Sequence, residues 1–175
     1  RKNTLQFHRK EFGISFSYPS DWIVLSEEEL RTYSFNSQIG LTKTTSEETG
    51  LGIEIQEQPG KKNFKTRESL EVLDKSLSEK LEEYRKVSAR EFKILDVPAI
   101  ELVYTFRPYA EEGQTRRPLK QRQVIFLKNE KLYLVTFTAL LDDYKDDVKD
   151  FNRILRSFLI HRCDFIDLSH FILSL

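Results

Sequence analysis

The spacing of apolar residues changes period several times along the chain, and each change marks an element. Phe12, Ile14, Phe16 and Tyr18 alternate with small or polar residues, which places them on one face of a strand over residues 12–18. Pro19 cannot donate to a ladder and is expected to end that strand. Ser20 and Asp21 suit a turn, after which Trp22 re-enters the core. A short strand is expected at 5–8, a helical turn at 27–30 and weak strand character at 35–43. Residues 46–50 read as a turn. Leu51, Ile53 and Ile55 then alternate with Gly52, Glu54 and Gln56, a half-buried strand stopped by Pro59 and Gly60.

The period then lengthens. Thr66 is placed to cap a helix in which Leu70, Leu73, Leu77, Leu81 and Tyr84 recur at steps of three or four. Strands are expected at 87–95 and 99–107, separated by a turn at Asp96, Val97 and Pro98. Ile100, Leu102, Tyr104 and Phe106 share one face of the second. After a polar loop at 108–118, strands at 120–127 and 132–140 flank the hairpin connection Lys128-Asn129-Glu130-Lys131. Both are apolar on both faces near their centres and should be covered on both sides by helices. A second long helix is expected from Asp142, with Tyr144, Val148, Phe151, Leu155 and Phe158 facing inward. Short turns between adjacent strands make the sheet mainly antiparallel, so the fold class is α+β, a sheet with helices packed against it.

Length and charge narrow the classes. A chain of 175 residues is expected to form one domain with a full core, here over 1–160, followed by an apolar extension at 161–175. With 28 basic and 28 acidic side chains it lacks the basic excess of a nucleic-acid-binding protein, and none is expected as a partner. No apolar run approaches membrane-spanning length. Cys163 is the only cysteine, which excludes a disulfide within the chain and a multi-cysteine zinc site. The chain opens at Arg1 and holds no Met. We read this as a trimmed N-terminus, from which a signal peptide or lipid anchor could have been removed.

Candidate chemistry is sparse. His8, His161 and His170 are the histidines; His161, Cys163 and His170 lie close in sequence, but their spacing matches no metal motif. No nucleophile elbow or glycine-rich phosphate loop is present, and Gly50 and Gly52 read as a turn or bulge. The aspartates from Asp142 to Asp150 lack the glycine and terminal glutamate of an EF-hand loop; a solvated helix start explains them. Lys61, Lys62, Lys65 and Arg67 form one basic run. Arg116, Arg117, Lys120 and Arg122 form another, the candidate protein-contact residues, suited to an acidic protein surface or anionic lipid heads. Charge protection of a sheet edge explains the same residues without a partner. The apolar segment 161–175 is expected to pack on its own domain or on a second copy as a homodimer.

The strand ending in Tyr18-Pro19 with Trp22 just beyond, and the long strand pair joined at Asn129 that leads into a helix closing on Phe158, resemble the PsbP-like family. The resemblance spans roughly 5–160. It implies an α/β/α sandwich around a central antiparallel sheet flanked by helices, a fold shared with a yeast Ran-binding protein and with bacterial lipoproteins. It also implies a non-catalytic interaction module without cofactor, exported or lipid-anchored, docking on a protein or membrane-associated complex. Its setting would be the periplasm, thylakoid lumen or cell surface. The alternatives are a small-ligand or metal-ion carrier on the same fold, or an intracellular adaptor like the Ran-binding relative. The photosystem proteins carry a longer N-terminal docking segment than the few residues before Phe12, which argues against a role in oxygen evolution.

Overall fold

The structure, a computed structural model, describes residues 3–33, 36–110 and 113–161. A first hairpin pairs β1 (Thr4–Arg9) with β2 (Ile14–Pro19), and the short β10 (Leu159–Ile160) adds to the other edge of β2. A larger antiparallel sheet has the order β3-β4-β5-β9-β8-β7-β6. Its strands are β3 (Trp22–Val24), β4 (Ile39–Lys43), β5 (Ser46–Glu57), β6 (Glu82–Ile94), β7 (Val97–Arg107), β8 (Leu119–Lys128) and β9 (Lys131–Leu140). The helices are α1 (Glu27–Tyr33), α2 (Thr66–Lys80) and α3 (Tyr144–Arg156). The small sheet and α3 share one face of the large sheet, and α2 lies on the other against β6 and β7. The expected α+β architecture with helices on both faces is what forms.

Local chemistry explains most boundaries. Ser26 and Glu29 form a reciprocal capping box that starts α1: the Glu29 N–H donates to Ser26 Oγ and the Ser26 N–H to Glu29 Oε2. Asn129 and Glu130 both have positive φ, as do Leu95 and Asp96. These pairs are the two-residue turns whose twist matches antiparallel strands. The β6–β7 turn therefore falls on Leu95-Asp96, and Val97 and Pro98 already belong to β7. Edge strand β6 is charged and mostly exposed, with irregular register at Glu82/Arg85 and Lys86/Ser88, which blunts pairing with another chain.

Several expectations shift. Strand β2 begins at Ile14, because Phe12 closes a 3-10 turn and Gly13 takes φ 61°; Ile14 and Phe16 are buried while Phe12 and Tyr18 are half-buried. Ser46 opens β5, so the expected turn at 46–50 is strand. Helix α2 ends at Lys80, and Tyr84 belongs to β6. Thr66 does not cap α2; its hydroxyl bonds Glu91 across to β6. The extension beyond His161, with the homodimer expected through it, lies outside the described residues.

The core is aromatic where α3 meets the sheet. Phe137 stacks on Phe151 with centroids 5.1 Å apart, Tyr144 and Trp22 flank it, and Phe16 touches Phe7 and Phe158. Ile154 joins the inward stripe. Charged groups are buried in the same layer. Asp147 accepts from Lys43 Nζ at 2.5 Å and from Thr49 Oγ1 at 2.8 Å. Asp150 accepts from Trp22 Nε1 at 3.2 Å. Glu101 lies between Arg90 and Arg122, with Nε–O distances of 2.8 and 2.6 Å, and Arg122 also reaches Asn152 on α3. Burial would push the Glu101 carboxyl up, but hydrogen bonds and charge from Arg90 and Arg122 outweigh it and hold it below its ordinary value.

Truncating Phe16 to Ala is expected to cost about 3–5 kcal/mol in urea unfolding. The Glu101 cluster makes an acid signature. Below its unfolded value of 4.5 the unfolded chain binds a proton before the folded one, so stability falls as pH drops through that window. Glu101→Gln should lower stability at pH 7 and flatten the acid limb of ΔG against pH. An unchanged acid slope would remove Glu101 from the account.

Candidate functional site

The second face of the large sheet is only partly covered. Helix α2 covers β6 and β7, and α1 covers the end near β4. Between them, over β5, β9 and β8, lies a cleft of about 710 Å³. Its floor is set by strand alternation and register. One cross-strand row runs Thr42, Gly50, Thr138, Gln121, Tyr104. The next runs Gly40, Gly52, Thr136, Gln123, Leu102. Leu134, Leu77, Leu81 and Phe106 supply apolar walls, and Arg116, Glu47 and Glu48 bring charge of both signs to the lining.

Small residues set the depth of the cleft. A Cβ on Gly40 would approach Leu30 Cδ1 of α1 to 2.5 Å, and one on Gly52 would approach Ser37 Oγ to 2.9 Å. Absence of those side chains lets α1 and the segment after it settle on the sheet. Gly50 and Gly52 are therefore paired strand residues on the cleft floor rather than a turn; the register between β4 and β5 is irregular just before Gly50, since Thr42 pairs with Gly50 but Lys43 with Ser46.

The polar groups of the floor are ordered by one another. Tyr104 is buried, which pushes its hydroxyl pKa up and keeps it a donor. It donates to Gln121 Oε1 at 2.5 Å and reaches Gln123 Oε1 at 3.5 Å. Gln121 Nε2 donates to Thr138 Oγ1 at 2.8 Å, and Gln123 Nε2 to Thr136 Oγ1 at 3.3 Å. Tyr104 thus engages the amide carbonyls and the amides engage the threonine oxygens. What remains to the floor is the second N–H of each amide and the O–H of each threonine as donors, with one lone pair on each of the same carbonyl and hydroxyl oxygens as acceptors. The two amide N–H groups, two residues apart on β8, can donate to acceptors of an occupant.

The basic run around Arg116 does not stay together. Arg122 is largely buried in the Glu101 cluster, with its guanidinium over the Phe151 ring. Lys120 lies over Tyr144 at 4.4 Å. Arg117 is exposed and pairs with Asp142. Arg116 lines the cleft on the opposite face. Lys61, Lys62, Lys65 and Arg67 are exposed, and the last two pair with Glu68 and Glu71 on α2. The aspartates divide as well. Asp142, Asp143 and Asp146 are solvated, but Asp147 and Asp150 are buried ligands of the sheet, so a solvated helix start describes only part of them. No group of three or more His, Cys, Asp or Glu among the described residues is arranged to hold a metal ion.

The structure brings His8 and His161 side by side, with ring centroids 5.7 Å apart. Cys163 and His170 lie outside the described residues. The cleft floor was missed in the sequence. Its signals, Gly50-x-Gly52, Gln121-x-Gln123 and Thr136-x-Thr138, are legible as period-two pairs, but only strand register shows that they are neighbours.

Comparison with known proteins places this architecture. The cyanobacterial PsbP (CyanoP) of Synechocystis sp. PCC 6803 has a solution structure similar over 92% of this chain and 94% of that one, at 15% identity and a TM-score of 0.64. LpqN of Mycobacterium tuberculosis, described as involved in cell envelope biogenesis, is similar over 91% of each chain at 16% identity and a TM-score of 0.57. The Saccharomyces cerevisiae Ran-binding protein Mog1p is similar over 91% of this chain and 96% of its own at 8% identity and a TM-score of 0.59. At such identities the likeness is one of fold. No curated protein matches the chain in sequence. The PsbP-like protein family model matches residues 1–160, and the chain belongs to that family.

Proposed function

We propose that the chain is a non-catalytic binding module that captures an extended peptide segment of a partner protein in the cleft between α1 and α2. The carrying observation is the pair of cross-strand rows in which the Gln121 and Gln123 side-chain amides, ordered by Thr138 and Thr136, each keep an N–H for an occupant. Gln121 and Gln123 are two residues apart on one strand, a spacing of roughly 6.8 Å. Alternate carbonyls of an extended chain lying along β8 have the same repeat, so both amides can donate to its backbone. Leu134, Leu77 and Phe106 offer apolar contact to its side chains. Arg116, in the cleft lining, is the member of the expected basic run that this reading uses. The Ran-binding description of Mog1p supports a role in protein association on this fold.

A second reading rests on the cleft volume. About 710 Å³ falls within the roughly 300–1,000 Å³ of small-molecule sites, so an acceptor-bearing small ligand fits the same floor. In either case we place the module outside the cytoplasm, exported or membrane-anchored. The cyanobacterial PsbP and LpqN relatives support that placement, and the Ran-binding relative is the exception. A signal peptide or lipobox in the gene upstream of Arg1 would be the expected finding; a cytoplasmic product in cell fractionation would remove the placement.

Selection of a phage-displayed random peptide library on the intact protein should yield peptides that compete with one another for one site. Gln121→Leu with Gln123→Leu should weaken them about tenfold or more, from the loss of hydrogen bonds worth about 1 kcal/mol each. Unchanged affinity would remove the peptide reading. A small molecule seen in native mass spectrometry and lost in the same variant would establish the second reading instead. Arg116→Glu with Arg117→Glu should weaken the selected peptides and alter their salt dependence.

Turnover of ester, phosphate and peptide substrates should stay at background. A specific activity abolished by changing His8 or His161 would overturn the non-catalytic reading.

A further inference from the structure

The solvent face of the small sheet carries a constellation that the cleft does not use. His8 on β1 is directly opposite Ser15 on β2, and Leu159 on β10 is opposite Ser15 from the other side. His161 follows β10 by one residue, and its backbone N–H donates to the Gly13 carbonyl at 2.7 Å. Alternation puts His8, Ser15, Leu159 and His161 on one face. The two imidazoles meet across β2 with centroids 5.7 Å apart and ring planes at 73°. His161 Nε2 is 2.9 Å from Ser15 Oγ. Both histidines are exposed, so water has access to the pair.

We propose that His8 and His161 form a two-imidazole site for a divalent late transition-metal ion, of the zinc and copper class. Metal–nitrogen bonds of about 2.0–2.1 Å put two imidazole centroids on one tetrahedral ion roughly 5–6 Å apart, and the observed separation lies in that range. Imidazole suits these metals better than calcium, magnesium or manganese. With its Nε2–H donating to Ser15, His161 keeps Nδ1 as its ligating lone pair, and Ser15 fixes the ring as an outer-shell partner does. The remaining positions on the ion are filled by water. The ligands come from β1 and from the residue after β10, and β2 lies between them. The ion therefore clips the two-residue β10 across the hairpin and couples metal occupancy to the seating of the C-terminal end of the fold.

The test uses the full chain with Zn²⁺ alone in calorimetry and Cu²⁺ alone in electron paramagnetic resonance. A Cys163→Ser, His170→Ala background removes the other soft and imidazole donors, and binding should persist in it. In that background His8→Ala and His161→Ala should each abolish the Zn²⁺-induced rise in Tm. Ser15→Ala should weaken binding by about tenfold or more, the cost of losing an outer-shell partner. The Cu²⁺ spectrum should show coupling to two imidazole nitrogens in the background chain and to one in either single variant. The histidines are exposed, so the metal-free variants should melt as the background chain does. If a variant misfolds, imidazole resonances of the unaltered chain decide: Zn²⁺ should shift those of His8 and His161 together. Zn²⁺ affinity equal in the background chain and the His8→Ala variant, loss of all binding in the background chain, or movement of only one imidazole would overturn the site.

Discussion

Everything in this molecule hangs on the seam between α3 and the large sheet. Phe137 and Phe151 stack there, with Trp22 and Tyr144 at the flanks, and such rings bury more area than any aliphatic pair. The small sheet is seated through the same seam, since Phe16 contacts Phe158 just past α3. One face of the sheet is thereby closed. The large cleft lies on the other face, between α1 and α2.

Buried charges fix how α3 lies on that seam. Asp147 and Asp150 reach β4, β5 and β3 through Lys43, Thr49 and Trp22, and Asn152 meets Arg122 of β8. An apolar stripe alone tolerates sliding; a carboxylate that loses its partner in a dry layer does not, because the uncompensated charge is costly. The ion pairs thus act on specificity of docking more than on net stability. They also withdraw Arg122 and Lys120 from the surface, the first into an ion pair and the second onto an aromatic face.

The opposite face shows the complementary economy. Helix α2 has no fully buried residue, and its leucines shelter only the β6–β7 side. Glycine and threonine at the centre leave the sheet uncovered between α1 and α2, and the glutamines beside them are held by Tyr104 and the threonines. With one N–H of each amide spent on a threonine, the other is left to donate to whatever binds. The histidine pair on the small sheet is a separate feature, made by the return of the chain to β2 after α3.

The sequence by itself determined the elements and the family. Alternation from Ile14 to Tyr18, the Asn129 hairpin and the heptad-like steps of α2 and α3 are local, since each depends on side chains a few residues apart. Polar residues inside those patterns defeated local reading: Asp147 and Asp150 look like any solvated helix start, and Thr66 looks like a cap. Only the tertiary structure decided which of them are buried, because burial depends on the residue that arrives from across the fold. It also decided the cleft and the histidine pair. Gly52, Thr136 and Gln123 stand in one row through strand register, and His8 meets His161 through the pairing of β1 and β10 on β2. Register is a relation between strands, and a single chain read residue by residue does not contain it.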